Sequence, residues 1–250
     1  MIELKGVNKI FNAGTANAVH ALVDTNLKIE KGEFVVVIGS NGSGKSTLLN
    51  VIAGNIFADS GEINIEGKKV NQLKDFERSK WIARIFQNPL LGTAPDLSIL
   101  DNFRLASLRT KNKMMKVGID KKFKDSVKEK ISLLQLGLEN KLDRMMGSLS
   151  GGQRQALTLC MAVMDDAKIL MMDEPAAALD PRTSETLMHS AEKLIGMFNL
   201  TTILITHHIK DAQRFGNRIL QMDDGKIIRD ISAQQKSTLS VNEIYGWFDS

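Results

Sequence analysis

The segment Gly39-Ser40-Asn41-Gly42-Ser43-Gly44-Lys45-Ser46-Thr47 sets three glycines ahead of a lysine and two hydroxyl residues. Its G-x-x-x-x-G-K-[ST] spacing is that of a phosphate-binding P-loop. Glycines let the backbone approach closely and adopt unusual φ values, so that successive N–H groups can point at phosphate oxygens. A following helix adds a favourable field for the anion. Lys45 can reach the β- and γ-phosphates, and Ser46 can ligate Mg²⁺. The flanks supply the context the motif needs. Phe34-Val35-Val36-Val37-Ile38 reads as a buried parallel strand, and Leu48-Leu49-Asn50-Val51-Ile52-Ala53 as the start of a helix.

A second anion site is encoded far downstream, in Leu149-Ser150-Gly151-Gly152-Gln153. A helix beginning near Gln153 would leave free N–H donors over Ser150, Gly151 and Gly152. Ala156, Leu157, Leu159, Cys160, Val163 and Met164 give that helix an apolar face. A plain N-cap explains Ser150 but not consecutive glycines, each of which costs about 1 kcal/mol in a helix interior. With the P-loop, this segment resembles the ATP-binding subunits of ATP-binding-cassette (ABC) transporters, and the resemblance covers nearly the whole chain. It implies that Ser150, Gly151, Gly152 and Gln153 of one subunit close over the γ-phosphate held by the P-loop of another. Each chain would then carry two half-sites, and a dimer, a homodimer by expectation, would bind two ATP.

Further chemistry falls at strand ends. Ile169-Leu170-Met171-Met172-Asp173-Glu174 puts two carboxylates after a buried apolar run. Asp173 is expected to hold Mg²⁺ with Ser46, and the cation also resolves the repulsion of two adjacent carboxylates. The resemblance makes Glu174 the group that orients or deprotonates the attacking water. It matches Gln87, in Ile85-Phe86-Gln87-Asn88-Pro89, to the family's glutamine loop, where an amide contacts Mg²⁺ or water. His207, after Thr206, matches the switch histidine, and His208 stands where the family often has Asp or Asn. Ala178-Leu179-Asp180 resembles the D-loop, with Asp180 helping to join the half-sites, although Ala176 and Ala177 replace hydroxyl residues common there. Phe11 sits where the family places an aromatic ring under adenine; a plain core role is the alternative. Stacking on phenylalanine reads no base edge, so selectivity for ATP over GTP is expected to be loose.

At 250 residues and 43% hydrophobic content the chain can bury a substantial core. No stretch approaches the roughly 20 apolar residues that span a bilayer. The start Met1-Ile2-Glu3-Leu4-Lys5 lacks a signal-peptide pattern, and a single cysteine, Cys160, fits a reducing cytoplasm and a packing role. A net charge of +4 gives no argument for nucleic acid. The lysine-rich stretch from Arg109 to Lys130 reads as a solvated surface, with an acidic partner or lipid headgroup as the alternative.

The alternating patterns of Ile2–Val7, Asn26–Ile29 and Glu62–Gly67 predict a β-rich first part. Ser98 with Asp101 resembles a capping box opening a helix at Ile99, and a second helix is expected over Lys124–Leu136. Strands at Ile169–Met172, Thr202–Ile205 and Ile219–Met222 alternate with helical segments, implying a parallel layer. The expectation is an α/β P-loop ABC cassette forming a single domain over 1–250. Its parallel core and β-rich edge would take 1–89 and 163–250, with an inserted helical subdomain at 90–162. As an ABC ATPase it would drive a membrane permease from the cytoplasmic face, with import favoured and a substrate-binding protein as the further partner. From the compact length, no sizeable regulatory domain is expected. The alternatives are an ABC ATPase acting on ribosomes or DNA, and a nucleotide sensor without turnover. The first lacks its usual tandem cassettes or coiled-coil insertion, and Glu174 and His207 speak against the second.

Overall fold

The computed structural model describes residues 1–88, 90–108, 118–164 and 167–248. Pro89 and residues 109–117 of the lysine-rich stretch therefore lie outside the described residues. The chain divides into two compact units, one formed by Met1–Arg78 with Leu200–Ser250 and the other by Ser79–Asn199.

The first unit holds β1 (Ile2–Phe11), β2 (Val19–Ile29), β3 (Phe34–Ile38), α1 (Lys45–Ala53), β4 (Ser60–Ile65), β5 (Lys68–Lys69) and α2 (Asp75–Arg78). The second holds β6 (Ile82–Ile85), α3 (Ile99–Ala106), α4 (Lys121–Ser132), α5 (Gly151–Ala162), β7 (Ile169–Asp173) and α6 (Pro181–Phe198). The chain then returns to the first unit with β8 (Thr201–Ile205), α7 (Ile209–Arg214), β9 (Arg218–Asp223), β10 (Lys226–Ile231), α8 (Ala233–Lys236) and α9 (Val241–Tyr245).

In the first unit, β2-β1-β4-β5 form an antiparallel sheet. Strand β3 pairs in parallel with β8 on one side and β9 on the other, and β10 folds back antiparallel on β9. All of β3 and β8 is buried, as expected of parallel strands covered on both faces. Strand β10 alternates exposed and half-buried positions, which is why its Lys226-Ile227-Ile228-Arg229 carried a weaker signal.

A buried arginine closes this unit where the P-loop helix ends. Gly54 turns α1 into a left-handed cap, φ 85°. Arg78, 1% exposed, donates to the carbonyls of Val51 (2.8 Å), Ile52 (2.9 Å), Leu73 (2.9 Å) and Val70 (2.6 Å). Its guanidinium thus satisfies orphan carbonyls of the last turn of α1 and complements the negative end of that helix.

In the second unit β6 and β7 run parallel. Ser98 caps α3 by accepting from the Asp101 N–H at 3.1 Å, as its spacing suggested. Helix α4 starts at Lys121, earlier than expected, because Asp120 caps it by accepting from Phe123 N–H at 2.7 Å. Cys160 is fully buried, donates to the Lys130 carbonyl at 3.3 Å, and is pushed up to about 12 by burial, so it packs as a thiol at neutral pH. No helix among the described residues is long and apolar enough to cross a membrane.

Replacing Arg78 with methionine keeps the bulk but strips donors from buried carbonyls, each worth about 1–3 kcal/mol when orphaned. Chemical denaturation should show a loss of about 3 kcal/mol or more; an unchanged midpoint would show that the guanidinium is dispensable.

Candidate functional site

In the first unit the P-loop leaves β3 and enters α1 with its backbone pressed against neighbouring strands. A Cβ at Gly39 would collide with the Met222 carbonyl and the Ser43 hydroxyl, and one at Gly44, φ 98°, with the Ala21 carbonyl. Ser40, Asn41 and Gly42 are exposed at the loop's tip, whereas Ser43 is buried. Lys45, 7% exposed, folds over its own loop and donates to the carbonyls of Gly39 at 2.9 Å and Ser40 at 2.8 Å. Ser46 is exposed and Thr47 half-buried in the first turn of α1.

The switch segment lies past β8. Thr206 is buried, and its hydroxyl accepts from the His208 N–H at 3.0 Å, which fixes the turn that exposes both imidazoles. The rings of His207 and His208 lie 4.1 Å apart, tilted by 41°. Asp211, in the first turn of α7, is held above the usual carboxylate range by burial, an effect opposed by His208, Arg214 and His207. Phe11 ends β1 half-exposed, opposite Val19.

In the second unit the acidic pair ends β7. Asp173 is its last residue, and Glu174 takes a left-handed conformation, φ 45°, that costs a non-glycine residue about 1–3 kcal/mol. Gln87, past the end of β6, donates its Nε2 to Glu174 Oε2 at 3.3 Å. Two candidates far apart in sequence therefore meet. Gln155 was missed by sequence reading: it is 1% exposed and donates to the Phe86 carbonyl at 2.7 Å, tying α5 to the residue before Gln87. Its signal was a lone amide beside the apolar residues of α5.

The signature segment forms a full capping box. The Ser150 hydroxyl accepts from Gln153 N–H at 3.3 Å, and the Gln153 amide oxygen accepts from Ser150 N–H at 3.2 Å. Reciprocal capping starts α5 at Gly151 rather than near Gln153. Gly152 has a packing cause, since a Cβ there would collide with the Thr183 methyl of α6. Asp180 caps α6, accepting from Thr183 N–H at 3.1 Å, and Pro181 follows at the first helical position. The Thr183 hydroxyl and N–H hold Asp180 below the usual carboxylate range. Among the described residues no group of three or more His, Cys, Asp or Glu converges as a metal cage. Within this unit Gln87 and Asp173 carry oxygen donors of the kind Mg²⁺ takes, an ion that keeps several waters and binds through one or two carboxylates plus substrate phosphates.

Comparison with known proteins agrees with this chemistry. Residues 22–177 match the family model described as ABC transporter. The chain is 35% identical over 249 residues to a tyrosine transport ATP-binding protein of Clostridioides difficile, covering 100% of this chain and 99% of the relative. It is 33% identical to a phosphonates import ATP-binding protein of Lactococcus lactis, covering 98% of each. A dimeric ATP-binding cassette solved in a post-hydrolysis state with ADP and Pi superposes with a TM-score of 0.79 at 32% identity, covering 93% of this chain and 99% of that one. The chain belongs to the ABC transporter family. Its fold is that of the ABC cassette, mixed α/β with parallel and antiparallel sheets, and it is an ATP-binding and ATP-hydrolysing subunit that powers transport across a membrane.

Gly152→Ala should lower stability by about 1–3 kcal/mol through overpacking against α6. Adding Thr183→Ser, which removes the obstructing methyl but keeps the hydroxyl, should restore most of it in thermal melts. A variant as stable as the parent without that second change would rule out the steric cause.

Proposed function

We propose that this chain is the ATPase of an importer. It would act in pairs at the cytoplasmic face of the membrane, on a permease supplied by a substrate-binding protein. The relatives named for tyrosine transport and phosphonates import align with the whole chain, which supports import over the ribosomal, DNA-directed and sensor readings. Their names do not choose this chain's solute.

The observation that best supports hydrolysis is the hydrogen bond from Gln87 to Glu174 at the end of β7. An amide that donates to a carboxylate helps to hold it in one rotamer, as a group that orients or deprotonates water requires. We assign Glu174 as the base or orienting group for the attacking water. Lys45 and the Gly39–Thr47 backbone bind the phosphates, and His207 donates a hydrogen bond to the γ-phosphate. Ser150, Gly151, Gly152 and Gln153 contact the γ-phosphate of ATP held by the partner subunit, Asp180 contributes to the join, and Phe11 stacks on the base. Ser46, Asp173 and Gln87 are the proposed oxygen ligands for Mg²⁺, which neutralises phosphate charge when bound. We assign 90–162 as the helical subdomain that receives the permease.

Leu90 and Leu91 are exposed apolar residues just after the glutamine loop, 46% and 53% accessible. Substituting glutamate at both should impair assembly with the permease while the isolated subunit keeps most of its ATPase. Equal loss of both would mean that these leucines serve the core.

The decisive experiment is Glu174→Gln. Hydrolysis should fall by about 10²–10⁴, and ATP should shift the variant from monomer to dimer in size-exclusion chromatography. Adding Ser150→Arg should reverse that shift. Normal turnover would remove Glu174 from the chemistry, and a variant that binds ATP tightly yet stays monomeric would remove the signature segment from the nucleotide.

A further inference from the structure

Strand β1 ends in a cluster that the nucleotide chemistry above does not use. Lys9 and Phe11 are two residues apart at the end of β1. The Lys9 ammonium lies over the Phe11 ring, 5.5 Å from its centroid, within the reach of a cation–π contact. The Lys9 side chain is only 16% exposed, and its Nζ is 2.8 Å from Asp59 Oδ1. The other oxygen of Asp59 accepts from the Ile10 N–H at 2.6 Å. One carboxylate thus grips both the backbone and the side chain of the residues leading to Phe11. Asp59 is itself anchored, because its N–H donates to the Asn8 carbonyl at 2.9 Å. Asn8 in turn accepts from Asp24 N–H at 2.8 Å and donates to Ser60 Oγ at 3.1 Å.

The grip sits where the strand most needs it. The register of β1 against β2 shifts between Val7 and Lys9 and again between Lys9 and Ile10, and its register against β4 shifts between Lys5 and Asn8. Past these irregularities Ile10 and Phe11 pair with His20 and Val19 of β2, so the ladder resumes only at the very end of β1. Asp59 braces this irregular stretch with two charge-assisted contacts, and the Lys9 hydrogen bond followed by the Ile10 N–H holds its carboxyl below the usual range.

We propose that Lys9, held by Asp59, is a positioning residue that fixes the Phe11 ring as the platform on which the nucleotide base stacks. The inference rests on the reading of Phe11 as that platform. An ammonium clamped over a ring at the end of a strand removes rotamers that would otherwise be lost on binding, so the stack forms on a surface already ordered. Asp59 neutralises the ammonium, so the cluster orders the ring without adding a free charge beside the nucleotide.

The test is equilibrium binding of ATP and of inorganic tripolyphosphate, a probe with the phosphates but no base, to the purified full chain. Lys9→Met should weaken ATP two- to five-fold, the scale of an exposed cation–π contact, and leave tripolyphosphate affinity as in the parent. Lys9→Arg, which keeps both the cation and the ion pair, should restore ATP affinity. In a Phe11→Ala background, Lys9→Met should add nothing. Equal weakening of both ligands would overturn the proposal, because the effect would then pass through the fold of the loop. An additive loss in the double variant would overturn it too, as would parental ATP affinity in Lys9→Met when Phe11→Ala alone is weakened. Parental ATP affinity in Phe11→Ala would instead overturn the platform reading itself, and the proposal with it.

Discussion

The glycine loop between β3 and α1 is shaped by crowding before any ligand is considered. Strand β3 is buried along its whole length between β8 and β9, and the chain leaving it has to pass under the Met222 carbonyl of β9 and beside the Ala21 carbonyl of β2. Only glycine fits at 39 and 44. The Gly225 N–H donates to the Ser43 carbonyl at 3.1 Å, and the Val23 N–H donates to the Gly225 carbonyl at 2.9 Å, so the loop is braced by the β9–β10 turn and by β2. A cradle held this way keeps its N–H groups in place without the ligand, which is what preorganised anion binding requires. The far end of α1 is held by Arg78, so the helix that follows the glycine loop is fixed at both ends.

The second unit solves a different problem, that of holding carboxylates and amides at strand ends under strain. Glu174 accepts a left-handed backbone, and its carbonyl accepts from the Ala177 N–H at 3.1 Å, so the strained turn is closed locally. Gln87 reaches the carboxylate while Gln155 holds the residue before Gln87. Because Gln155 and Ser150 lie on one helix, the glutamine loop and the signature segment share a rigid element. That is a physical route by which contact at the signature end can bear on the carboxylate's partner, without an added charge.

Much of this was legible in the residues. The P-loop, the strand-end acidic pair and the Ser98 cap each rest on local rules, namely glycine conformational freedom, apolar runs of strand length and hydroxyl capping. β3 and the buried spans of β7, β8 and β9 carry strong apolar patterns because they are covered on both faces. β10 and the first half of β2 were not legible, because an edge strand and a half-exposed strand mix polar and apolar residues without a clean period. Nothing local marks Arg78 as the donor to five carbonyls.

The sequence by itself pointed to the class of chemistry, since glycine spacing, a lysine and a helix start make up a phosphate-binding motif within one short stretch of chain. It also determined the family, through segments whose order along the chain is sufficient. What only tertiary structure decided is why particular residues have no substitute. Gly152 must lack a side chain because α6 brings Thr183 against it. Gln155 must be an amide because β6 ends at a carbonyl it can reach, and Lys9 meets Asp59 across 50 residues because β1 pairs with β4. Such requirements arise from contacts between segments distant along the chain, and a linear pattern holds no record of those until the strands and helices have packed.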